Sequence, residues 1–359
     1  MPVLLYALLT RLYFAAIHLA SPFSARARRW MQGRRGLFVK LEQALSSRQD
    51  GEPWVWMHCA SLGEFEQGRP VLEQLKAARP ELRVLLTFFS PSGYEQRKDY
   101  PLADCICYLP ADTAANAARF VQLTRPSLAI FVKYEFWYFH LRALHRAGIP
   151  LVLIAGAFRQ WQPFFSWYGG LHRSMLGFFK TLFVQDDASV DLLKSLPLSN
   201  ARNAGDPRAD RVLQVASEDW QQPLLAAFCA TSKVIVCGST WPADEDLLLE
   251  VLSEPDFNAW KIVLVPHDTD PVRLRRLAES VPFPAALFNS LSGSEGQQAA
   301  AGLRLLVVDT VGMLSRLYRY GQLAYVGGGF GRGIHNLLEP AVYGLPVLFG
   351  PRHQSFVEA

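Results

Sequence analysis

The sequence predicts an α/β protein: two doubly wound parallel sheets in tandem, preceded by an apolar N-terminal helix. Three observations carry that expectation. Short runs of β-branched and aromatic residues alternate with longer amphipathic stretches, the pattern of a parallel sheet covered by helices. Those runs fall into two series separated by a polar, proline-containing stretch at 205–231. The chain has 359 residues, about twice a common domain.

The first element is 3–20, VLLYALLTRLYFAAIHLA, interrupted by Arg11 and His18. A spanning helix takes roughly 20 apolar residues, so this one suits the membrane interface or a shallow insertion; a buried first helix with a solvated basic loop is the other reading. No small-residue cleavage site follows, so it does not read as a removed signal peptide. Arg26, Arg28, Arg29, Arg34 and Arg35 come next without an acidic residue, which keeps the bulk of the protein on the cytoplasmic side of a membrane. The anchor and its basic flank occupy 1–35.

Strands follow at 54–59, 84–89, 105–109, 128–132, 151–155 and 182–184, with helical stretches between them, so the first α/β domain covers 36–205. A linker is expected at 206–231. The second domain, 232–359, has strands at 234–237, 262–265, 305–308, 323–326 and 347–349. In such folds ligands sit outside the carboxyl ends of the strands, so a central cleft between the domains is the expected site.

Half of the chain is hydrophobic and 19% is charged, a globular composition that excludes disorder. The net charge is +4, but residues 1–50 hold eight Lys or Arg and two acidic residues, so this end carries +6 and the remainder is slightly negative. Such local basicity argues against a nucleic-acid binder and for an anionic lipid or phosphorylated glycolipid surface. The five cysteines, 59, 105, 107, 229 and 237, form no CxxC pair and have no zinc-type His spacing. They read as reduced core thiols.

Chemistry concentrates at strand ends. After the strand 323–326 come Gly327, Gly328, Gly329, Phe330, Gly331 and Gly333, then His335, Asn336 and a helix-like stretch with Glu339. Glycines there admit positive φ and bring backbone N–H groups close to a phosphate, while a carboxylate can bind ribose hydroxyls. A glycine-rich turn between two buried strands is the plainer alternative. Ser239 and Thr240, Pro266 and His267, and the turn with Gly312 and Met313 end three further strands. In the first half, HCASLGEFEQ places Glu64 in the first turn of a helix, either as that helix's cap or as a general base. Glu135, in KYEFW, stands among aromatic residues that make a platform for a sugar or an acyl boundary; an ion pair with Lys133 or a nearby Arg is its alternative. The aromatic and basic stretch 158–183 fits a membrane-facing rim, with core packing for most of its rings.

Taken together, SLGEFEQ at 61–67, KYEFW at 133–137, GST at 238–240, PH at 266–267, DTVGML at 309–314 and GGGFGRGIHNLLEPA at 327–341 resemble the 3-deoxy-D-manno-octulosonic acid (Kdo) transferases of lipopolysaccharide assembly. The resemblance runs over essentially the whole chain. It implies a GT-B fold of two Rossmann-like domains, the first binding the acceptor and the second CMP-Kdo. It further implies transfer of Kdo to the 6'-hydroxyl of the lipid A precursor at the cytoplasmic face of the inner membrane, with inversion, no catalytic metal and no cofactor. On this resemblance Glu64 matches the general base and Glu135 the second acidic active-site residue. Ser239, Thr240, Pro266, His267, Gly312, Met313, Gly328, Gly329, Phe330, Gly331, Gly333, Asn336 and Glu339 match the donor side. The family continues past the strand 347–349, so a sequence ending at Ala359 reads as shortened, with an incomplete second domain. Two rivals share these features: another GT-B sugar-nucleotide enzyme, a UDP-sugar transferase or epimerase, and a non-catalytic membrane-associated binding protein.

Overall fold

Residues 2–46, 48, 51–230, 232–331, 333–354, 356 and 358–359 are described in a computed structural model. They separate into two compact units, 1–208 and 209–359.

The first unit opens with α1 (Pro2–Ala20), α2 (Ala25–Arg34) and α3 (Leu37–Ala44). It continues as β1 (Trp54–Cys59), α4 (Leu62–Ala78), β2 (Arg83–Phe88), α5 (Pro91–Arg97), β3 (Cys105–Tyr108), α6 (Ala114–Thr124) and β4 (Leu128–Val132). Then follow α7 (Tyr138–Arg146), β5 (Leu151–Gly156), α8 (Gly170–Leu176), β6 (Thr181–Val184), α9 (Asp187–Lys194) and β7 (Ala201–Asn203). Every strand pairing is parallel, in the order β3-β2-β1-β4-β5-β6-β7. Central β1 is buried at all six positions, which is why it reads as an uninterrupted apolar run rather than an alternating one. Its two faces pack separate clusters, Trp56 with Phe120 and Phe131 on one, Val55 and Met57 with Phe65 and Phe88 on the other. Helices start where a side-chain oxygen takes a free N–H: Thr113 caps α6 and Asp186 caps α9.

The second unit contains α10 (Pro207–Ser217, which begins at the boundary), α11 (Pro223–Cys229), β8 (Lys233–Thr240), α12 (Pro242–Ser253), β9 (Trp260–Pro266), α13 (Pro271–Ser280) and β10 (Ala285–Leu287). It goes on through α14 (Gly293–Ala301), β11 (Leu305–Val307), α15 (Leu314–Leu317), β12 (Leu323–Val326), α16 (Leu338–Ala341) and β13 (Val347–Phe349). The sheet is again parallel, β10-β11-β9-β8-β12-β13.

The structure departs from the sequence reading in three places. Strands β7 and β10, which the sequence reading does not include, are three-residue edge strands without a fully buried position. The stretch read as a linker is largely helical, and Leu225 and Phe228 of α11 are fully buried in the second unit's core. The helix expected behind the glycine loop is only α16, four residues long, too short to offer an anion a helix N-terminus.

Candidate active site

In each unit the strand order reverses beside the first strand, between β1 and β4 in the first and between β8 and β12 in the second. The carboxyl ends of strands flanking such a reversal diverge and leave room for a ligand. Glu64 follows β1 and Glu135 follows β4; Ser239 is the penultimate residue of β8, and the glycine loop follows β12.

In the first unit Ser61 is the residue before α4 and Glu64 lies in the first turn. The Glu64 carboxylate accepts the N–H of Ala60, the residue before Ser61, so this bond ties the turn between β1 and α4 rather than an N–H of the helix itself. Burial, then the charge of Glu135, push its pKa up to about 7, against the pull of the Ala60 N–H and Lys133. A carboxylate titrating near neutrality is matched to proton abstraction. Glu135 is 9% exposed. Its Oε2 accepts Trp137 Nε1–H at 2.6 Å and lies 3.2 Å from His58 Nε2. Glu66 instead bonds Arg97 at 2.7 Å on the outside of α4.

Glu135 and Trp137 line a cavity of about 600 Å³ that also takes in Tyr6, Leu9, Thr10 and Tyr13 of α1 and Trp161 and Phe164. It is chiefly aromatic, with one carboxylate. Helix α1 is held there by Tyr6, whose hydroxyl donates to Asp112 at 2.7 Å and accepts the Tyr138 N–H at 3.2 Å, and by Phe14 stacked on Trp30. Along this helix Leu4, Leu5, Leu8, Leu9 and Leu12 are more than half exposed. By length and composition α1 is apolar enough to cross a membrane. In the 158–183 stretch Phe158, Phe164 and Phe179 are core, whereas Trp161 and Trp167 are 79% and 92% exposed. The basic flank is not all available to a partner. Arg34 turns inward, donating to the carbonyls of Phe89 and Leu109 with its guanidinium 3.7 Å above the Trp30 ring; burial lowers its pKa to about 9.

In the second unit Ser239, Gly312, Asn336 and Glu339 gather around a cavity of about 250 Å³ with Ser315, Tyr318 and His335. Ser239 has a φ of 52°, a conformation a non-glycine residue adopts only under constraint. Gly238 is required because a Cβ there would lie 2.1 Å from the Tyr318 hydroxyl. Asn336 donates to Glu339 at 3.3 Å and accepts the Leu338 N–H at 3.1 Å. Burial raises the Glu339 pKa, opposed by that Asn336 bond.

Other donor-side candidates fall elsewhere. The Thr240 hydroxyl faces inward to Glu245, itself paired with Arg273 at 2.6 Å, Pro266 is buried, and Met313 packs against the core. His267 stacks on Trp241 at 4.5 Å and lies 4.9 Å from the His335 ring, so it meets the cavity through His335. The glycine loop is chiefly a packing solution. The N–H groups of Gly327, Gly328, Gly331 and Gly333 bond Gly238, Asp244 and, for the last two, the Gly328 carbonyl. A Cβ on Gly329 would lie 2.5 Å from Gly350 Cα, and Gly328 and Gly333 have positive φ. Phe330 and Gly331 are exposed. Trp241, Tyr318 and the role of His58 escape sequence reading, since an aromatic residue at a strand end looks the same whether it lines a site or fills a core.

The two-sheet architecture, with a strand-order reversal and a polar site at its carboxyl edge in each unit, defines a GT-B-type α/β enzyme fold. Solved structures agree. The UDP-GlcNAc 2-epimerase of Neisseria meningitidis superposes with a TM-score of 0.53 at 13% identity, over 82% of each chain; that of Methanocaldococcus jannaschii gives 0.52 at 11%, over 82% of this chain and 83% of its own. The family model described as 3-deoxy-D-manno-octulosonic-acid transferase (kdotransferase) matches residues 30–211, and the chain belongs to that glycosyltransferase family. Among curated relatives, the 3-deoxy-D-manno-octulosonic acid transferase of Aquifex aeolicus is 28% identical over 303 residues, 83% of this chain and 76% of the relative. That of Chlamydia trachomatis serovar A is 27% identical over 310 residues, 83% and 70%.

Proposed function

We propose that this protein transfers Kdo from CMP-Kdo to the 6'-hydroxyl of a lipid A precursor in lipopolysaccharide assembly, at the cytoplasmic face of the inner membrane, inverting the anomeric centre without a catalytic metal. The observation that carries the reading is Glu64: a carboxylate at a strand-order reversal, with a pKa of about 7, in a chain of the kdotransferase family. Glu64 takes the proton from the acceptor hydroxyl as its oxygen attacks the anomeric carbon of Kdo. The bond from that carbon to the CMP phosphate breaks, and CMP leaves with the electron pair. Glu135 aligns the acceptor, and the aromatic cavity beside it receives the boundary between sugar and acyl chain. The exposed leucines of α1, with Trp161 and Trp167, rest in the membrane from which the acceptor is drawn.

Ser239, Gly312, Asn336 and Glu339 hold the donor and His267 acts on it through His335, while the close-packed loop with Gly328, Gly329, Phe330, Gly331 and Gly333, together with Thr240, Pro266 and Met313, keeps the surrounding turns in place. Incubation with lipid A precursor and either CMP-Kdo or a UDP-sugar tests the donor assignment. CMP release coupled to a Kdo-bearing lipid is expected, and turnover of the UDP-sugar alone would overturn it.

A further inference from the structure

His58 is fully buried on β1, yet it is spent on the active-site carboxylate rather than on the fold. Parallel register sets His58 opposite Thr87 on β2, and its Nδ1 lies 2.8 Å from Thr87 Oγ1. Trp56, two residues earlier and therefore on the same face of the strand, donates its Nε1–H to that same Oγ1 at 2.8 Å. The hydroxyl, having accepted from Trp56, has its own hydrogen left to give. His58 Nδ1 at 2.8 Å is a far better acceptor than the Met57 carbonyl at 3.5 Å. Nδ1 is then the acceptor nitrogen of a neutral imidazole and Nε2 carries the hydrogen, donated to Glu135 Oε2 at 3.2 Å. The chain of donors runs one way, from Trp56 through Thr87 and His58 to Glu135.

Oε2 thus receives two N–H groups, from His58 and from Trp137. Oε1 makes no hydrogen bond among the described residues, and Glu135 lines the aromatic cavity. A carboxylate pinned through one oxygen and open through the other is oriented for a ligand. A histidine serving only the fold has no need of a cavity-lining partner.

We propose that His58 is a positioning residue for the reaction: with Thr87 fixing its tautomer, it holds Glu135 in the orientation in which that carboxylate meets the acceptor and faces Glu64. The proposal rests on the reading of Glu64 as the base. The charges acting on Glu64 are Glu135, which raises its pKa, and Lys133, which lowers it, together with the N–H groups of Ala60 and Ser61. Glu66 is engaged by Arg97 and Arg69, and the nearby Cys59 thiol is held well above its ordinary pKa by burial, then by Glu64, so it stays neutral. Releasing Glu135 therefore weakens the neighbouring charge that raises the Glu64 midpoint.

The test compares His58→Phe, His58→Gln and Thr87→Val in the full chain, with carbon-13-labelled glutamate to follow the Glu64 titration by NMR and CMP-Kdo turnover to follow kcat across pH. His58→Phe is expected to lower the Glu64 midpoint by about a pH unit and kcat by about tenfold, leaving the KM for CMP-Kdo within about twofold. His58→Gln, whose amide replaces the donor, should restore most of both. Thr87→Val removes a single hydroxyl with little change of shape and should shift the midpoint in the same direction, which keeps the proposal open to refutation if His58→Phe does not fold. An unchanged midpoint in a folded His58→Phe or Thr87→Val protein overturns the proposal, whatever happens to kcat. The underlying reading fails separately: if Glu64→Gln still transfers Kdo, Glu64 is not the base, whereas an inactive Glu64→Gln with an unmoved midpoint in the His58 variants removes only the positioning role.

Discussion

Replacing Glu64 by Gln is expected to abolish transfer and to stabilise the protein, by more at pH 8 than at pH 5. The fold holds the Glu64 pKa at about 7 against an ordinary 4.5, through burial first and the charge of Glu135 second. A folded-state value above the unfolded one means that the fold favours the protonated form. That contribution is complete below pH 4.5 and is lost as pH rises through 7. One pKa unit corresponds to about 1.4 kcal/mol, so this side chain costs about 3 kcal/mol at pH 8, where it is ionised in the fold, and about 1 kcal/mol at pH 5, where the fold keeps it protonated while the unfolded chain has begun to ionise. Screening on the solvent-facing side of this half-buried group brings the pH 8 figure nearer 2 kcal/mol. Gln mimics the protonated acid and its carbonyl still accepts the Ala60 N–H, so the variant escapes the cost. Urea unfolding of both proteins at pH 5 and pH 8, beside a transfer assay, measures the difference directly. Equal stabilities at pH 8, or the same offset at both pH values, would refute the electrostatic account of Glu64.

Three further outcomes follow from packing. Gly238→Ala drives a methyl to within 2.1 Å of the Tyr318 hydroxyl and should destabilise the second unit by about 1–3 kcal/mol in denaturant unfolding, with partial recovery in the Gly238→Ala/Tyr318→Phe double variant. Arg34→Ala removes three bonds to backbone carbonyls, of Trp30, Phe89 and Leu109, and a guanidinium stacked on Trp30; a loss of about 2–3 kcal/mol, seen in unfolding and as earlier tryptic cleavage after α2, is expected. Trp161→Ser together with Trp167→Ser should weaken sedimentation with anionic phospholipid vesicles several-fold without lowering the melting temperature, because both rings are solvent-exposed and contribute little to the core.

Most of the sheet architecture was legible because strands buried on both faces must be continuously apolar. The run WVWMHC announces β1, and all six of its positions are buried. Strands β7 and β10 gave no such signal, since edge strands need few buried side chains. Residues 206–231 look like a linker by their polarity and prolines, but the prolines Pro207 and Pro223 stand at the first positions of α10 and α11, where a missing N–H does no harm. The glycine loop was visible as a special turn. That its glycines serve mainly close approach, Gly327 against the backbone of Ser239 and Thr240 and Gly329 against Gly350, depends on contacts with residues far off in sequence. By sequence Arg34 belongs to the basic flank of the N-terminal anchor, and only the aromatic wall formed by Trp30, Phe89 and Tyr108 reveals it as a structural cation. Glu64 and Glu135 stood out by position, whereas His58 was hidden because a histidine inside an apolar strand looks like core.

The central claim, that Glu64 drives Kdo transfer from CMP-Kdo onto a lipid acceptor, is tested most directly by mass spectrometry of the lipid recovered after incubating the protein with CMP-Kdo and lipid A precursor. The lipid is expected to gain Kdo with the native protein and to be unchanged with Glu64→Gln. A Kdo-bearing lipid formed equally by both proteins, or no Kdo-bearing lipid from the native protein, would contradict it.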